Sequence, residues 1–123
     1  MEFKPQKPIY RQIADYILEH IISGELKAGD RLQSVRDMAA EVEVNPNTVV
    51  RTFNFLSEEG IIYNQRGIGY FIAENAPEKA YNFQKKIFIQ EELPELFRNM
   101  DLLRIDFNEL QELHQKLFLH ENK

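Results

Sequence analysis

Asn47, Arg51 and Asn54 recur at i, i+4 and i+7, with Thr48 beside the first, in a segment that opens on Asn45-Pro46. On a helix this spacing gathers two amides and a guanidinium onto one face. Such groups donate to or accept from base edges and phosphates, and a major groove admits one helix, so the face is suited to reading a duplex. A merely solvated helix face has the same composition, and the face alone leaves the two readings even. Val49, Phe53 and Leu56 at the same spacing should turn inward.

The elements that must hold this face are marked by their caps. Asn45 suits an N-cap and Pro46 the first helical position, where a missing amide costs nothing; Gly60 closes the helix near Glu59. A preceding short helix is expected from about Val35 to Val42, capped by Ser34 with Asp37 three residues on, and turning Val35, Met38, Ala39 and Val42 to one side. Glu43-Val44 is the turn between the two helices. An earlier helix starts at Pro8, and its apolar stripe Ile9, Ile13, Tyr16, Ile17, Ile21 ends before Gly24. Residues 26–30 then form a turn, and Arg31-Leu32 an extended piece. After Gly60, the β-prone runs Ile61-Ile62-Tyr63 and Tyr70-Phe71-Ile72 flank Gln65-Arg66-Gly67-Ile68-Gly69, a glycine-bearing turn with a cationic tip. Helix, turn, helix and hairpin in this order predict a mainly α fold with a small β-hairpin wing, a winged helix-turn-helix. Arg66 at the tip suits a phosphate or minor-groove contact, although an ordinary hairpin with a solvated arginine would look the same.

Charge opposes the simplest version of this reading. The chain has 15 Lys and Arg against 20 Asp and Glu, and residues 1–75 have eight basic and eleven acidic residues. A nucleic-acid binder usually has a strongly basic domain. Any duplex contact must therefore come from a local patch, for which Arg36, Arg51 and Arg66 are candidates, with Lys4, Lys7 and Arg11 at the other end. Few contacts per subunit favour two subunits acting together.

Catalytic residues, metal ligands and cofactors are not expected. There are no cysteines, His114 and His120 are six apart and so on different helix faces, and His20 is remote. Glu91, Glu92 and Glu95 read as a solvated face. With no phosphate-cradling glycine loop and no nucleophile beside a base, the expectation is a protein that is not an enzyme. No secretory leader and no run near the roughly 18 apolar residues of a membrane span are present, so a cytoplasmic protein is expected.

The residues resemble the GntR family of bacterial winged helix-turn-helix transcription factors. The resemblance lies in Pro8 to Ile13, Ile22 to Leu32, Ser34 to Ala39, Asn45 to Val49, Glu59 to Ile62 and Arg66 to Phe71, covering nearly all of residues 8–72. It implies that Arg36 contacts DNA, that Asn45, Asn47 and Thr48 make polar contacts at the start of the recognition helix, and that Arg66-Gly67 forms the wing tip. Two positions depart from the family pattern. Gln33 stands where proline is usual, and Val50 where many members carry a second arginine, with Arg51 one residue on and about 100° further round. The expected DNA-binding set is therefore Arg36, Asn45, Asn47, Thr48, Arg51, Arg66 and Gly67.

Residues 76–123 make a tail too short for the ligand-binding domains of larger members, and the size resembles the YtrA-type subfamily. Phe83, Ile87, Phe88, Leu93, Leu96, Phe97 and Met100 mark one helical region that Pro94 should kink. Asp106 and Glu109 cap a second helix bearing Phe107, Leu110, Leu113, Leu117 and Phe118. So small a pair exposes more apolar surface than it can bury on itself, which points to a homodimer through Phe83, Ile87, Leu96, Phe97, Leu110, Leu113 and Leu117. The alternative is a tail folded back on its own winged domain. The organisation expected is a DNA-binding domain over 1–75 and a helical dimerisation tail over 76–123. Its partners would be double-stranded DNA and a second copy, in a regulator, most often a repressor, acting at a palindromic operator. The rival is a winged-helix protein-interaction module without specific DNA binding. The sequence leaves a small-molecule effector open.

Overall fold

The structure, a computed structural model, describes residues 1, 3 and 7–119. It consists of two compact units, Met1–Gln84 and Lys85–Lys123.

In the first unit, α1 (Ile9–Ile22) buries Ile13, Ala14, Ile17, Leu18 and Ile21. Two residues of the expected stripe stay outside: Ile9 is 44% exposed and Tyr16 43%. Tyr16 lies instead against the His20 ring, 4.2 Å away on the helix surface. The next helix, α2 (Val35–Val42), starts where the Ser34 hydroxyl accepts the Asp37 amide at 3.0 Å. Glu43 takes a left-handed conformation, φ 58°, to make the turn. In α3 (Pro46–Glu58) the Asn45 Oδ1 accepts the Asn47 amide at 2.8 Å, and Val49, Phe53 and Leu56 are fully buried as the periodicity requires. The helices pack on one core with Leu32, Ile61, Ile62 and Ile72.

The wing pairs β1 (Ile62–Gln65) with β2 (Gly69–Ile72), antiparallel, placing Ile62 opposite Ile72 and Gln65 opposite Gly69. The extended piece before α2 joins them: Arg31 bridges Phe71, the Leu32 amide donates to the Tyr70 carbonyl and the Ile72 amide to the Asp30 carbonyl, both at 2.9 Å. The hairpin is thereby tied to the chain that leads into α2.

The first unit continues past residue 75. Helix α4 (Ala76–Ile87) buries Ala76 and Ala80 in the same core, and the Phe83 ring meets Phe55 edge-on at 5.6 Å. Phe83, expected at a dimer contact, is thus packed on the winged core.

In the second unit, a π-helical turn at Phe88–Glu92 precedes α5 (Leu93–Leu103). The Leu93 amide bonds to the Phe88 carbonyl, five residues back. The widened turn takes up the expected disturbance from Pro94, whose ring would meet the carbonyl four residues behind it in an unbroken α-helix. Arg104, at φ 60°, turns the chain, and the Asp106 carboxylate caps α6 (Phe107–His114) by accepting the Glu109 amide at 2.8 Å. Leu117 and Phe118 fall beyond the α-helix, in a π-helical segment Gln115–Leu119. Met100 is the buried apolar residue of this unit among the described residues, whereas Leu102 is 77% exposed, Phe107 69% and Leu103 66%. An open cleft of about 550 Å³ is lined by Phe97, Met100, Arg104, Ile105 and Phe107 with Asp101 and Asp106.

Candidate nucleic-acid interface

The cap that starts α3 brings three of the expected residues together. Asn45 accepts the Asn47 amide through its side chain and the Thr48 amide through its carbonyl, at 2.8 and 2.9 Å. Its Oδ1 is therefore held to the helix by one bond, and Nδ2 remains to donate outward. Asn47 is exposed and Thr48 half-buried, so Asn47 stands on the open face and Thr48 at its margin. Arg36 is exposed in the first turn of α2, where the Ser34 cap fixes the helix start.

Arg51 is exposed but held. Its guanidinium carbon lies 4.1 Å from the centre of the Tyr10 ring, a cation–π contact that spends none of its five N–H donors. Tyr10 also orients α3 through its backbone: the Thr52 hydroxyl is buried, 3.0 Å from both the Tyr10 and Thr48 carbonyls, and its single proton is donated to one of them. The first turn of α1 therefore sets both the angle of α3 and the position of Arg51. Val50, on the departure from the family pattern, is 39% exposed.

Arg66 and Gly67 occupy the wing tip, both exposed. The Ile68 amide donates to the Gln65 carbonyl at 2.9 Å and Gly67 has φ 80°, the sign that a type II turn requires at its third residue. This turn puts Arg66 at the corner. Arg31 holds the base of the turn, its Nη2 donating to the Ile68 carbonyl at 2.5 Å. A Cβ on Gly69 would lie 3.1 Å from the Arg31 Nε, so a glycine keeps room for this strut. Sequence reasoning missed Arg31, Tyr10 and Thr52, because each acts through a pairing 37 to 42 residues distant or through a ring contact that no local pattern announces.

Of the cations expected at the other end, Lys7 and Arg11 are engaged. Lys7 pairs with Asp15 at 2.7 Å, and Arg11 is half-buried over Phe55 and Phe83, 4.8 and 5.9 Å from their ring centres. Lys4 and His120 lie outside the described residues. Among the dimer candidates, Leu96 is 39%, Phe97 45% and Leu117 56% exposed, while Ile87, Leu110 and Leu113 are half-buried. Among the described residues no group of three His, Cys, Asp or Glu side chains could hold a metal ion, and no helix is long and apolar enough to cross a membrane. Glu91, Glu92 and Glu95 are exposed, and Glu95 pairs with Arg98. The His114 ring stacks on Phe118 at 5.5 Å.

Residues 9–72 match the pattern of the bacterial regulatory proteins of the gntR family. The chain is 49% identical over 75 residues to YhcF of Bacillus subtilis, an uncharacterized HTH-type transcriptional regulator, in a match covering 61% of this chain and 62% of YhcF. It therefore spans just under two thirds of that relative's length. With the HTH-type transcriptional repressor YtrA of the same organism it is 38% identical over 108 residues, covering 88% of this chain and 80% of YtrA. The structure of a GntR family transcriptional regulator from Listeria monocytogenes is similar at a TM-score of 0.77 and 35% identity, covering 94% of this chain and 99% of that one.

Proposed function

The chain belongs to the GntR family of bacterial regulatory proteins, and from that premise we propose that it is a transcriptional regulator that binds a palindromic operator as a homodimer and represses by occupying it. The observation that carries the proposal is the outward face of α3. Its start is fixed by the Asn45 cap, its rotation is supported by the Thr52 hydroxyl, and its exposed polar residues are Asn47, Arg51 and Asn54. Amides and a guanidinium so oriented read base edges, with Arg36 and Arg66 on the backbone. YtrA, similar over most of its length, is named a repressor, and this supports the sign of regulation.

The second copy is supported by the second unit, whose large apolar residues stand mostly in solvent. A two-fold pair covers Leu102, Leu103 and Phe107, and the cleft beside Met100 receives the partner's apolar side chains. Two recognition helices about 34 Å apart then meet successive turns of one DNA face. No effector is assigned.

The acidic balance of residues 1–75 favours a second reading, a winged module that binds protein. Selection of bound sequences from random duplexes, followed by salt titration on the selected site, separates them. A palindrome bound with an affinity that falls steeply with salt supports the regulator. No selected sequence and no duplex binding at low salt overturns it.

A further inference from the structure

One residue on the outward side of α3 has no hydrogen-bonding group. Val50 lies about 60° round from Asn47 and about 40° from Asn54, between them along the axis. The two residues that touch Tyr10, Arg51 and Thr52, turn that side of α3 toward α1. Val50 is on the opposite flank of the Asn47–Asn54 line, 39% exposed, while its neighbours Val49 and Phe53 are fully buried. The adjacent cation cannot cover for it, because the guanidinium of Arg51 is held over the Tyr10 ring at 4.1 Å.

An isopropyl group set among amides on a groove-facing helix matches one feature of the major groove, the 5-methyl group of thymine. A G·C pair at that place would present polar edges to a side chain that cannot answer them. The β-branch holds Val50 essentially in one rotamer on a helix, so its methyl groups are placed at little entropic cost. We propose that Val50 is a specificity-determining residue that packs on a thymine 5-methyl in each half-site. This inference rests on the regulator reading above and adds the base that this position selects.

The test uses the full chain and the duplex selected from random sequence, with each thymine replaced in turn by deoxyuridine, which lacks only the methyl. At one position in a half-site the wild type should lose about four-fold in affinity, the equivalent of one buried methyl, and about fifteen-fold when both half-sites are substituted. Val50→Ala, confirmed folded by circular dichroism, should bind thymine and uracil duplexes equally, whereas Val50→Thr, which keeps a methyl on a β-branch, should retain the preference. Replacing the thymine by 5-methylcytosine opposite guanine should bind better than unmethylated cytosine. Tolerance of uracil at every position, or an undiminished thymine preference in Val50→Ala, overturns the inference and leaves the regulator reading standing. Failure to select any duplex overturns both.

Discussion

Asn45 separates a folding role from a binding role at one atom pair. Its Oδ1 accepts the Asn47 amide at 2.8 Å, and the side chain is otherwise exposed, so Nδ2 is the group that can donate to a phosphate or to an acceptor on a base. Asn45→Ala removes the cap at a cost of about 1 kcal/mol. For a small domain this lowers the melting temperature by about 4–8 °C. Asn45→Asp keeps a cap oxygen and adds a negative charge at the positive end of α3, so stability should hold or rise by a few tenths of a kcal/mol. It also replaces the outward donor by a carboxylate, and loss of that contact together with repulsion by the backbone should cost about ten-fold in affinity per half-site, or 1.4 kcal/mol. Thermal melting and duplex titration at a single salt concentration give both numbers. Wild-type affinity in Asn45→Asp would show that Nδ2 does not face the duplex. An unchanged melting temperature in Asn45→Ala would refute the cap reasoning.

Thr52→Val, which fills the same volume without the hydroxyl, should cost about 1 kcal/mol in chemical denaturation, and where the proton goes to the Tyr10 carbonyl rather than to Thr48 it should also weaken DNA binding further than the stability loss explains, by loosening the angle of α3. Gly69→Ala should weaken DNA binding several-fold in a gel-shift titration with little change in oligomeric state, since the backbone at φ 144° and the 3.1 Å approach to Arg31 both disfavour a Cβ. Arg36→Ala and Arg66→Ala should each lower the slope of log affinity against log salt by about 1 per subunit and leave the dimer intact by analytical ultracentrifugation. Leu102→Glu combined with Phe107→Glu should give monomers in the same measurement, with the winged unit still folded by its melting profile, because both side chains are more than two-thirds exposed in the single chain.

The capped and periodic parts of the fold were readable from residues alone. Ser34 and Asn45 marked the helix starts that the structure shows, and Val49, Phe53 and Leu56 the buried face. Interactions distant in sequence were not readable. The tie between Asp30–Leu32 and β2, the strut from Arg31 to the wing turn and the lock from Thr52 to Tyr10 depend on residues 37 to 42 apart meeting in space. Tyr16 falls on the helical spacing of the apolar stripe, yet its ring lies at the surface, tilted against the His20 ring 4.2 Å away. At Pro94 a disturbance was foreseen, but not that a π-helical turn ahead of it would absorb the misfit.

The contradiction between an acidic domain and a DNA reader is resolved by what the fold does with its arginines. Arg11 is half-buried over two rings, Arg31 braces the wing and Arg51 sits over the Tyr10 ring, so three of the five arginines in residues 1–75 are first structural. Arg36 and Arg66 are exposed, with no ion pair or ring partner among the described residues, and Arg51 keeps its edge donors. About three cationic contacts per subunit give a salt slope near −3, and the proposed pair of subunits would double the contacts and bring the slope to about −5. The net charge of residues 1–75 then works against non-specific adhesion, because few free cations remain to slide on any duplex. On the proposed reading, discrimination falls to Asn47, Val50, Arg51 and Asn54 on the outward side of α3, and occupancy to the pairing of two copies.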